Sequence, residues 1–145
     1  MSTPSPEAAT AEVARWAAST WDPDIEVGYW WDALADAGLT LAGLPDGFGG
    51  RGWPTALAKT ASIALARAGV LGPPIGVGLV MAAPTILDHG DTALVDRLVP
   101  PIVRGRTAWC QLFRESGAGS DLAGLATEAS REDGGWTVEG SKVDH

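Results

Sequence analysis

The stretch Thr107-Ala-Trp-Cys-Gln-Leu-Phe113 marks the point where the sequence changes from helical to strand patterning. Its residues favour strands and show no helical period, so it predicts a strand. Two further extended segments follow at residues 122–130 and 135–143, and Asp133-Gly134 between them is typical of a hairpin turn. Residues 106–145 are therefore predicted to be the opening strands of a β domain.

Apolar residues before Thr107 recur at helical spacing. The pattern predicts about five helices: one near residues 7–20, one over 25–38, one from Thr55 to Gly69, one over 75–89, and one opening at Asp91. Ala68 and Leu94 are among the candidate core residues. Pro100-Pro101 predicts a kink or break in the last helix, because proline removes a helical hydrogen bond.

The fold class that follows is mainly α. An all-α domain of about five helices is predicted in residues 1–105, followed by an incomplete β domain in residues 106–145. Between the second and third helices, residues 43–54 hold five glycines and two prolines, so they predict a connecting loop without regular structure.

Composition narrows the classes of partner and compartment. The chain has 145 residues, of which 46% are hydrophobic and 19% charged, with seven tryptophans, which is enough for a globular core. A net charge of −8 argues against nucleic acid or an anionic membrane surface as a partner. A single cysteine, no signal-peptide pattern and no long apolar run favour a cytoplasmic protein.

The chemically informative stretch is Cys110-Gln-Leu-Phe-Arg-Glu-Ser-Gly-Ala-Gly-Ser-Asp121. Gly117 and Gly119 lack side chains, so backbone N–H groups can approach a polar ligand, and Ser120 adds a hydroxyl. Such a turn could hold a ring edge or a phosphate oxygen. A Gly-Ala-Gly turn that merely joins two strands is the alternative.

Three motifs in order make the chain resemble acyl-CoA dehydrogenases. Residues 110–123 are similar to that family's flavin-contacting segment, C-x-x-[ST]-E-P-G-A-G-S-D-x-A. The later Gly135-Trp-Thr-Val-Glu-Gly-Ser-Lys142 is similar to its next hairpin, G-[WY]-x-[IV]-x-G-x-K, and Leu44-Pro-Asp-Gly-Phe-Gly-Gly-Arg-Gly52 to its P-E-x-[YF]-G-G-x-G loop.

The resemblance implies an activity and a cofactor. Family members bind FAD and an acyl-CoA thioester between an α-helical N-terminal domain, a β domain and a C-terminal helical bundle. A carboxylate removes the α-proton while the β-hydrogen leaves as hydride to flavin N5. Full-length members are commonly oligomers and pass electrons to an electron-transfer flavoprotein, so acyl-CoA, a homo- or hetero-oligomer and that flavoprotein are the implied partners.

The resemblance also implies which residues contact the cofactor. Gln111, Leu112 and Phe113 would form the strand beside the flavin ring. Gly119 and Ser120 would lie at the edge of the flavin and substrate sites, with Ser120 touching the acyl-CoA. Ordinary strand packing is the alternative for Gln111 and Phe113.

Two residues depart from the family motif. Arg114 stands where the family has Ser or Thr, whose hydroxyl binds the flavin; it would either stabilise a reduced, anionic flavin or block the ring. Ser116 replaces proline, so the turn is less rigidly preset. Both departures bear on how tightly FAD binds.

No catalytic residue is assigned, because none of the chain's carboxylates matches the family's base by position. Glu115 is nearest to the motif, and we expect it to have a structural role. The sequence stops before the family's catalytic carboxylate, so we expect residues 1–145 alone to be inactive. We also expect the residues after Thr107 to be poorly ordered or to associate when the chain is alone, because their strand edges lack partners.

Three functions stay open from the sequence. The first is the N-terminal part of an FAD-dependent acyl-CoA dehydrogenase. The second is a truncated, inactive relative of that family. The third is a helical protein-interaction module that binds its partner through tryptophan-rich faces.

Overall fold

The computed structural model describes residues 3–118 and 121–143. The chain divides into two compact units, Met1–Trp109 and Cys110–His145. We call the described parts of these the helical unit and the β unit, and take each by itself. Among the described residues, every helix is too short or too polar to span a bilayer.

The helical unit contains the five predicted α-helices. They are α1 Pro6–Thr20, α2 Val27–Asp36, α3 Thr55–Arg67, α4 Ala83–His89 and α5 Thr92–Val103. A π-helical turn, Gly78–Ala82, leads directly into α4. The side chains of Ser5 and Asp91 cap α1 and α5 by accepting backbone N–H groups, as expected of residues that stand just before a helix.

The first core lies among α1, α2 and α3, with Trp30 of α2 fully buried at its centre. The Trp30 ring centroid lies 5.3 Å from that of Trp16 and 4.8 Å from that of Trp21. Its indole N–H donates to the Leu71 carbonyl oxygen at 2.7 Å, which satisfies the one polar atom of the ring. The other fully enclosed members are apolar: Val13, Ala17, Leu34, Leu39, Ala42, Ala61, Ala64 and Leu65.

A second core joins the other side of α2 to the C-terminal helices. Ala35 provides the α2 contact, and the π-helical turn contributes Leu79. The remaining buried members come from the loop after α2 and from α4 and α5: Leu44, Ala83, Val99, Ile102 and Val103. With apolar residues on both sides, α2 is the central element of the unit.

The glycine-rich loop contains no helix or strand, as predicted, apart from one isolated bridge between Asp46 and Gly50. Backbone bonds nevertheless fix it, because the N–H groups of Arg51 and Trp53 both donate to the Ala42 carbonyl, at 3.1 and 3.0 Å. At its entrance Gly38 has a φ of +67°. A Cβ there would lie 2.5 Å from the Gly50 carbonyl oxygen, so only glycine fits.

Of the kink or break predicted for the last helix, the break is wrong, because α5 continues through both prolines to Val103, and the kink stays a prediction. Prolines at 100 and 101 remove the bonds to the carbonyls of Asp96 and Arg97. Both of these residues are exposed, so water can take the place of the missing donors. The predicted burial of Ala68 and Leu94 is also wrong, since both are exposed.

The β unit is built on one antiparallel hairpin, β1 Glu128–Glu132 and β2 Gly135–Glu139. The predicted turn at Asp133-Gly134 joins the two strands, and Gly134 has a φ of +94°. The predicted strand at 107–113 is wrong for the described residues, because it has no ladder partner there. The early part of the predicted 122–130 strand is also wrong: Leu122–Gly124 forms a 3₁₀ turn.

Candidate functional site

The predicted flavin-contacting residues lie in an extended, exposed segment at the start of the β unit. In this segment, residues 111–114, Leu112 and Phe113 are 52% and 60% exposed. Among the described residues, no backbone hydrogen bond involves residues 111–113, and Arg114 takes part in no salt bridge. Among the described residues, positions 111–113 therefore present backbone donors and acceptors without hydrogen-bond partners beside apolar side chains, whereas the Arg114 carbonyl accepts the Val143 N–H at 3.0 Å.

A tight turn follows the segment at residues 116–118. The Ala118 N–H donates to the Glu115 carbonyl at 3.2 Å, which closes the turn without the proline that is usual in the motif. A Cβ at Gly117 would meet nothing within 4 Å, so the chain's own packing does not require glycine there. Gly119 and Ser120, predicted to touch the flavin and the acyl-CoA, lie outside the described residues.

Glu115 makes the densest set of polar contacts in the β unit. Its carboxylate accepts from the backbone N–H groups of Ala126 and Thr127, at 2.6 and 3.0 Å, and from the Thr127 hydroxyl. Lys142 Nζ completes the set at 2.7 Å. The Lys142 ammonium, followed by Thr127 and the Ala126 N–H, lowers the pKa of Glu115 from 4.5 to about 2. These contacts agree with the structural role expected for Glu115.

The contacts of Glu115 connect two of the sequence motifs. Lys142 is the last residue of the Gly140-Ser-Lys142 pattern in the hairpin motif, whereas Glu115 belongs to the flavin-type motif. Gly140 makes room for Thr127, since a Cβ there would lie 2.8 Å from Thr127 Cβ. The sequence reasoning missed Thr127 and Lys142; the ion-pair chemistry of a Glu and a Lys in neighbouring motifs was the signal available.

A charged network in the helical unit was also missed by the sequence reasoning. Asp32 of α2 accepts from Arg104 at 3.3 Å and from Arg106 at 2.6 Å. Asp36 accepts from Arg104 at 2.6 Å, and this hydrogen bond raises the pKa of the guanidinium. The network ties α2 to the end of α5, so its four charged side chains serve the fold.

An open groove of about 510 Å³ lies on the helical unit. Trp31 and Trp109 stand along it, and the Trp31 indole N–H donates to the Gly72 carbonyl at 3.1 Å. None of the residues that line it has an ionisable side chain. The lining residues are Trp31, Leu71, Gly72, Pro73, Pro74, Ile75, Gly76, Val77, Gly78, Leu79, Ile102, Gly105, Thr107, Ala108 and Trp109. The groove can hold an apolar group, but its lining residues supply no ionisable side chain for acid–base catalysis.

The donor set of the 111–114 segment suits a flavin ring. An isoalloxazine edge carries both hydrogen-bond donors and acceptors, and the unpaired backbone groups of residues 111–113 offer both. Leu112 and Phe113 add apolar surface for the ring face, and Gln111 adds an amide. In the described residues no group of His, Cys, Asp or Glu side chains could hold a metal ion.

The fold defines a class of protein: a five-helix domain followed directly by a hairpin unit that begins with an exposed, glycine-containing segment. The family described as acyl-CoA dehydrogenase, N-terminal domain, matches residues 6–106, which is most of the helical unit. The chain belongs to the acyl-CoA dehydrogenase family. Its five helices and two-stranded sheet match the N-terminal helical domain of that fold.

Individual relatives agree with this assignment. The chain is 49% identical over 111 residues to acyl-CoA dehydrogenase FadE34 of Mycobacterium tuberculosis, covering 77% of this chain and 15% of that protein. It is 38% identical over 114 residues to acyl-CoA dehydrogenase IpdE1 of the same organism, covering 79% of this chain and 30% of that protein. The chain thus spans less than a third of the length of either relative.

Solved structures show the same fold. The crystal structure of the ChsE4-ChsE5 complex from Mycobacterium tuberculosis matches with a TM-score of 0.63 at 26% identity, over 98% of this chain and 39% of that one. A variant of the Tcur3481-Tcur3483 steroid ACAD matches with a TM-score of 0.63 at 25% identity, over 95% of this chain and 39% of that one.

Proposed function

We propose that this chain supplies the N-terminal helical domain and the flavin-contacting segment of an FAD-dependent acyl-CoA dehydrogenase. In the proposal, residues 1–105 form the helical domain and residues 106–145 open the β domain. The observation that carries it is the exposed 111–114 segment, in which residues 111–113 make no backbone hydrogen bond to any described residue, directly after a helical unit of this family.

Each residue of the segment has a role in this proposal. Gln111, Leu112 and Phe113 contact the flavin ring through backbone groups and side chains, and Arg114 lies beside it. Gly119 and Ser120 continue the site, with Ser120 at the acyl-CoA. FAD supplies hydride acceptance in this family, while the chain's own residues orient the ring and exclude water from it. The catalytic base is assigned to no residue of this chain.

The partners follow from the same proposal. The proposed substrate is an acyl-CoA thioester. Because one of the structural matches is a steroid ACAD, a steroid-derived acyl-CoA should be among the first thioesters tested. The match to the ChsE4-ChsE5 complex supports a second dehydrogenase chain as a partner in an oligomer. An electron-transfer flavoprotein is the proposed electron acceptor.

Packing of the tryptophans disfavours a helical interaction module. Trp30 is fully buried, and Trp16, Trp21, Trp31 and Trp53 pack against the same core. Most tryptophans of the helices therefore serve the core, which leaves less of their surface for a partner. An inactive relative of the family would fail in cofactor binding, substrate binding or flavin reduction, so the experiments must measure these.

The test is the FAD content of the tagged protein expressed in and purified from its own cell. Phe113→Glu, which places a charge at the ring face, is expected to lower the FAD bound per polypeptide at least about tenfold. Tyr29→Glu is the matched control, because Tyr29 is an aromatic residue of the helical unit with 67% exposure. If Phe113→Glu keeps the wild-type FAD content, or if both variants lose the same amount of FAD, the assignment of the segment to the flavin site is contradicted.

A further inference from the structure

We propose that Glu115 is the positioning residue of the 111–114 segment: its carboxylate fastens the turn after the segment to residues 126–127 and to Lys142. The inference rests on the proposed function, in which this segment contacts the flavin. It assigns to Glu115 and Lys142 a role in flavin placement without any contact with the flavin. We call this set of contacts the Glu115 latch.

The segment depends on its downstream end for its position. Among the described residues, no backbone bond holds residues 111–113. Immediately after them, the Arg114 carbonyl accepts the Val143 N–H at 3.0 Å, and the Glu115 carboxylate accepts its four donors. Without Glu115, the Arg114–Val143 bond is the one hydrogen bond among the described residues that would still join this end to residues beyond the turn.

The surroundings of Glu115 require a carboxylate in particular. An ionised carboxylate is an acceptor only, and every polar group around it is a donor: two backbone N–H groups, one hydroxyl and one ammonium. A glutamine of the same shape would direct an NH₂ group at one of those donors. It would also leave the Lys142 charge, whose side chain is only 21% exposed, without a counter-ion.

Gly140 is part of the same arrangement. A Cβ at Gly140 would overlap the Thr127 side chain, whose hydroxyl donates to Glu115. The glycine and the lysine of the Gly140-Ser-Lys142 pattern therefore serve the same carboxylate, one by leaving space and the other by supplying charge. The two motifs therefore meet at one carboxylate in this chain.

The latch can be separated from the folding of the hairpin. Strands β1 and β2 pair through their own ladder from Glu128–Glu139 to Glu132–Gly135, and no latch residue belongs to either strand. Loosening the latch should therefore free the residues near 114–118 and 126–127 while the ladder persists. A residue needed only for folding would instead affect the ladder equally.

The experiment measures backbone amide exchange by NMR over milliseconds to seconds on the full 145-residue chain. The variants are Glu115→Gln, Lys142→Gln and the charge-conserving Lys142→Arg. In Glu115→Gln and Lys142→Gln, the amides of Ala126, Thr127 and Ala118 are expected to exchange at least about tenfold faster than in the wild type, because charge-assisted hydrogen bonds are lost. Ladder amides should change less than twofold, and Lys142→Arg should restore most of the protection.

Three exchange results would overturn the latch: unchanged exchange at Ala126 and Thr127 in Glu115→Gln, an equal acceleration throughout β1 and β2, or no gain from Lys142→Arg over Lys142→Gln. The same variants of the protein from its own cell then give FAD content and the visible flavin spectrum. Reduced content or a shifted spectrum in Glu115→Gln supports flavin placement. Unaltered content and spectrum overturn that role.

The failure of the proposed function is distinguishable from the failure of the latch. A wild-type protein that carries no FAD and takes up none overturns the proposed function, and with it the flavin part of this inference. The exchange experiment contains no flavin, so it still decides whether Glu115 holds the turn. A latch that fails by exchange, in a protein that retains FAD, overturns this inference and leaves the proposed function standing.

Discussion

The helical unit and the β unit are each stabilised internally by a different kind of interaction. The helical unit has two clusters of buried apolar side chains with α2 between them. Among residues 110–118, 121 and 123–143 of the β unit none is buried, and Trp136 and Val138 are each 66% exposed. The β unit relies on a short ladder and on the polar contacts of Glu115. Its stability should therefore be sensitive to pH and to the removal of charged side chains. The stability of the helical unit should instead be sensitive to changes in the volume of its buried side chains.

The largest expected difference is in amide hydrogen exchange. Amides in the middle of α1 and α3, such as those of Val13 and Ala61, should exchange at least about a thousandfold more slowly than that of Val138 in β2, because opening them requires unfolding of the buried core. Exchange followed by mass spectrometry or NMR on the wild-type chain measures this. Equal protection in the two units would show that the β unit is as well packed as the helices.

Removal of the central tryptophan should destabilise the chain more than any other single truncation. Trp30→Ala deletes a fully buried ring together with its bond to Leu71, and should lower the free energy of unfolding by about 3–5 kcal/mol. Trp136→Ala in the β unit is the matched control and should change it by less than about 0.5 kcal/mol. Urea unfolding followed by helical circular dichroism compares them; similar values for both would remove the distinction between the units.

Alanine substitutions at two glycines of the helical unit distinguish the cost of backbone strain from the cost of steric overlap. Gly38 and Gly47 both have positive φ, +67° and +83°, so alanine costs about 1–2 kcal/mol in strain at either position. Only at position 38 does the added Cβ meet other atoms, and Gly38→Ala should cost about 1–3 kcal/mol more than Gly47→Ala. Thermal unfolding of the two variants gives the difference, and equal values would show that the loop moves aside.

The charged network of the helical unit should contribute less. Asp32→Asn removes the acceptor shared by Arg104 and Arg106 and should lower the free energy of unfolding by about 1 kcal/mol, with the loss reduced in high salt. Asp96→Asn is the control, since among the described residues Asp96 makes no ion pair. Urea unfolding at low and high salt measures both, and a loss that is independent of salt would argue against an electrostatic cause.

The β unit should show the opposite sensitivity, to acid. The pKa of Glu115 lies at about 2 in the folded unit, below its ordinary 4.5, so folding favours the ionised form. The stabilisation is complete above pH 4.5 and is lost as the pH falls from 4.5 through 2. NMR titration of the Glu115 carboxyl in the wild type and in Lys142→Gln should show the midpoint rising in the variant. A midpoint near 4.5 in both would mean that the carboxylate is free in solution.

The difference between the units also explains which features the sequence could predict. Helices are local, and their burial period is visible in residues such as Val13 and Leu34, so all five were predictable. The continuation of α5 through Pro100 was not, because the cost of proline depends on whether water reaches the freed carbonyls.

Strands depend on partners distant in sequence. The segment at 107–113 has a strand-like composition, but nothing in composition tells whether a partner is present. The Glu115–Lys142 contact joins positions 27 residues apart in the chain. Both residues stand in the quoted motifs, but their pairing needed coordinates. The flavin-contacting roles of residues 111–114 remain predictions from the motif.

The most direct test of the central claim is an anaerobic titration of the protein isolated from its own cell. Its intact mass and visible spectrum are recorded, and acyl-CoA thioesters, including a steroid-derived one, are then added. The account predicts bound FAD whose absorbance near 450 nm is bleached by at least one acyl-CoA, since hydride transfer reduces the flavin. A protein without FAD, or one whose flavin is bleached by none of them, would contradict the assignment of this chain to a working acyl-CoA dehydrogenase.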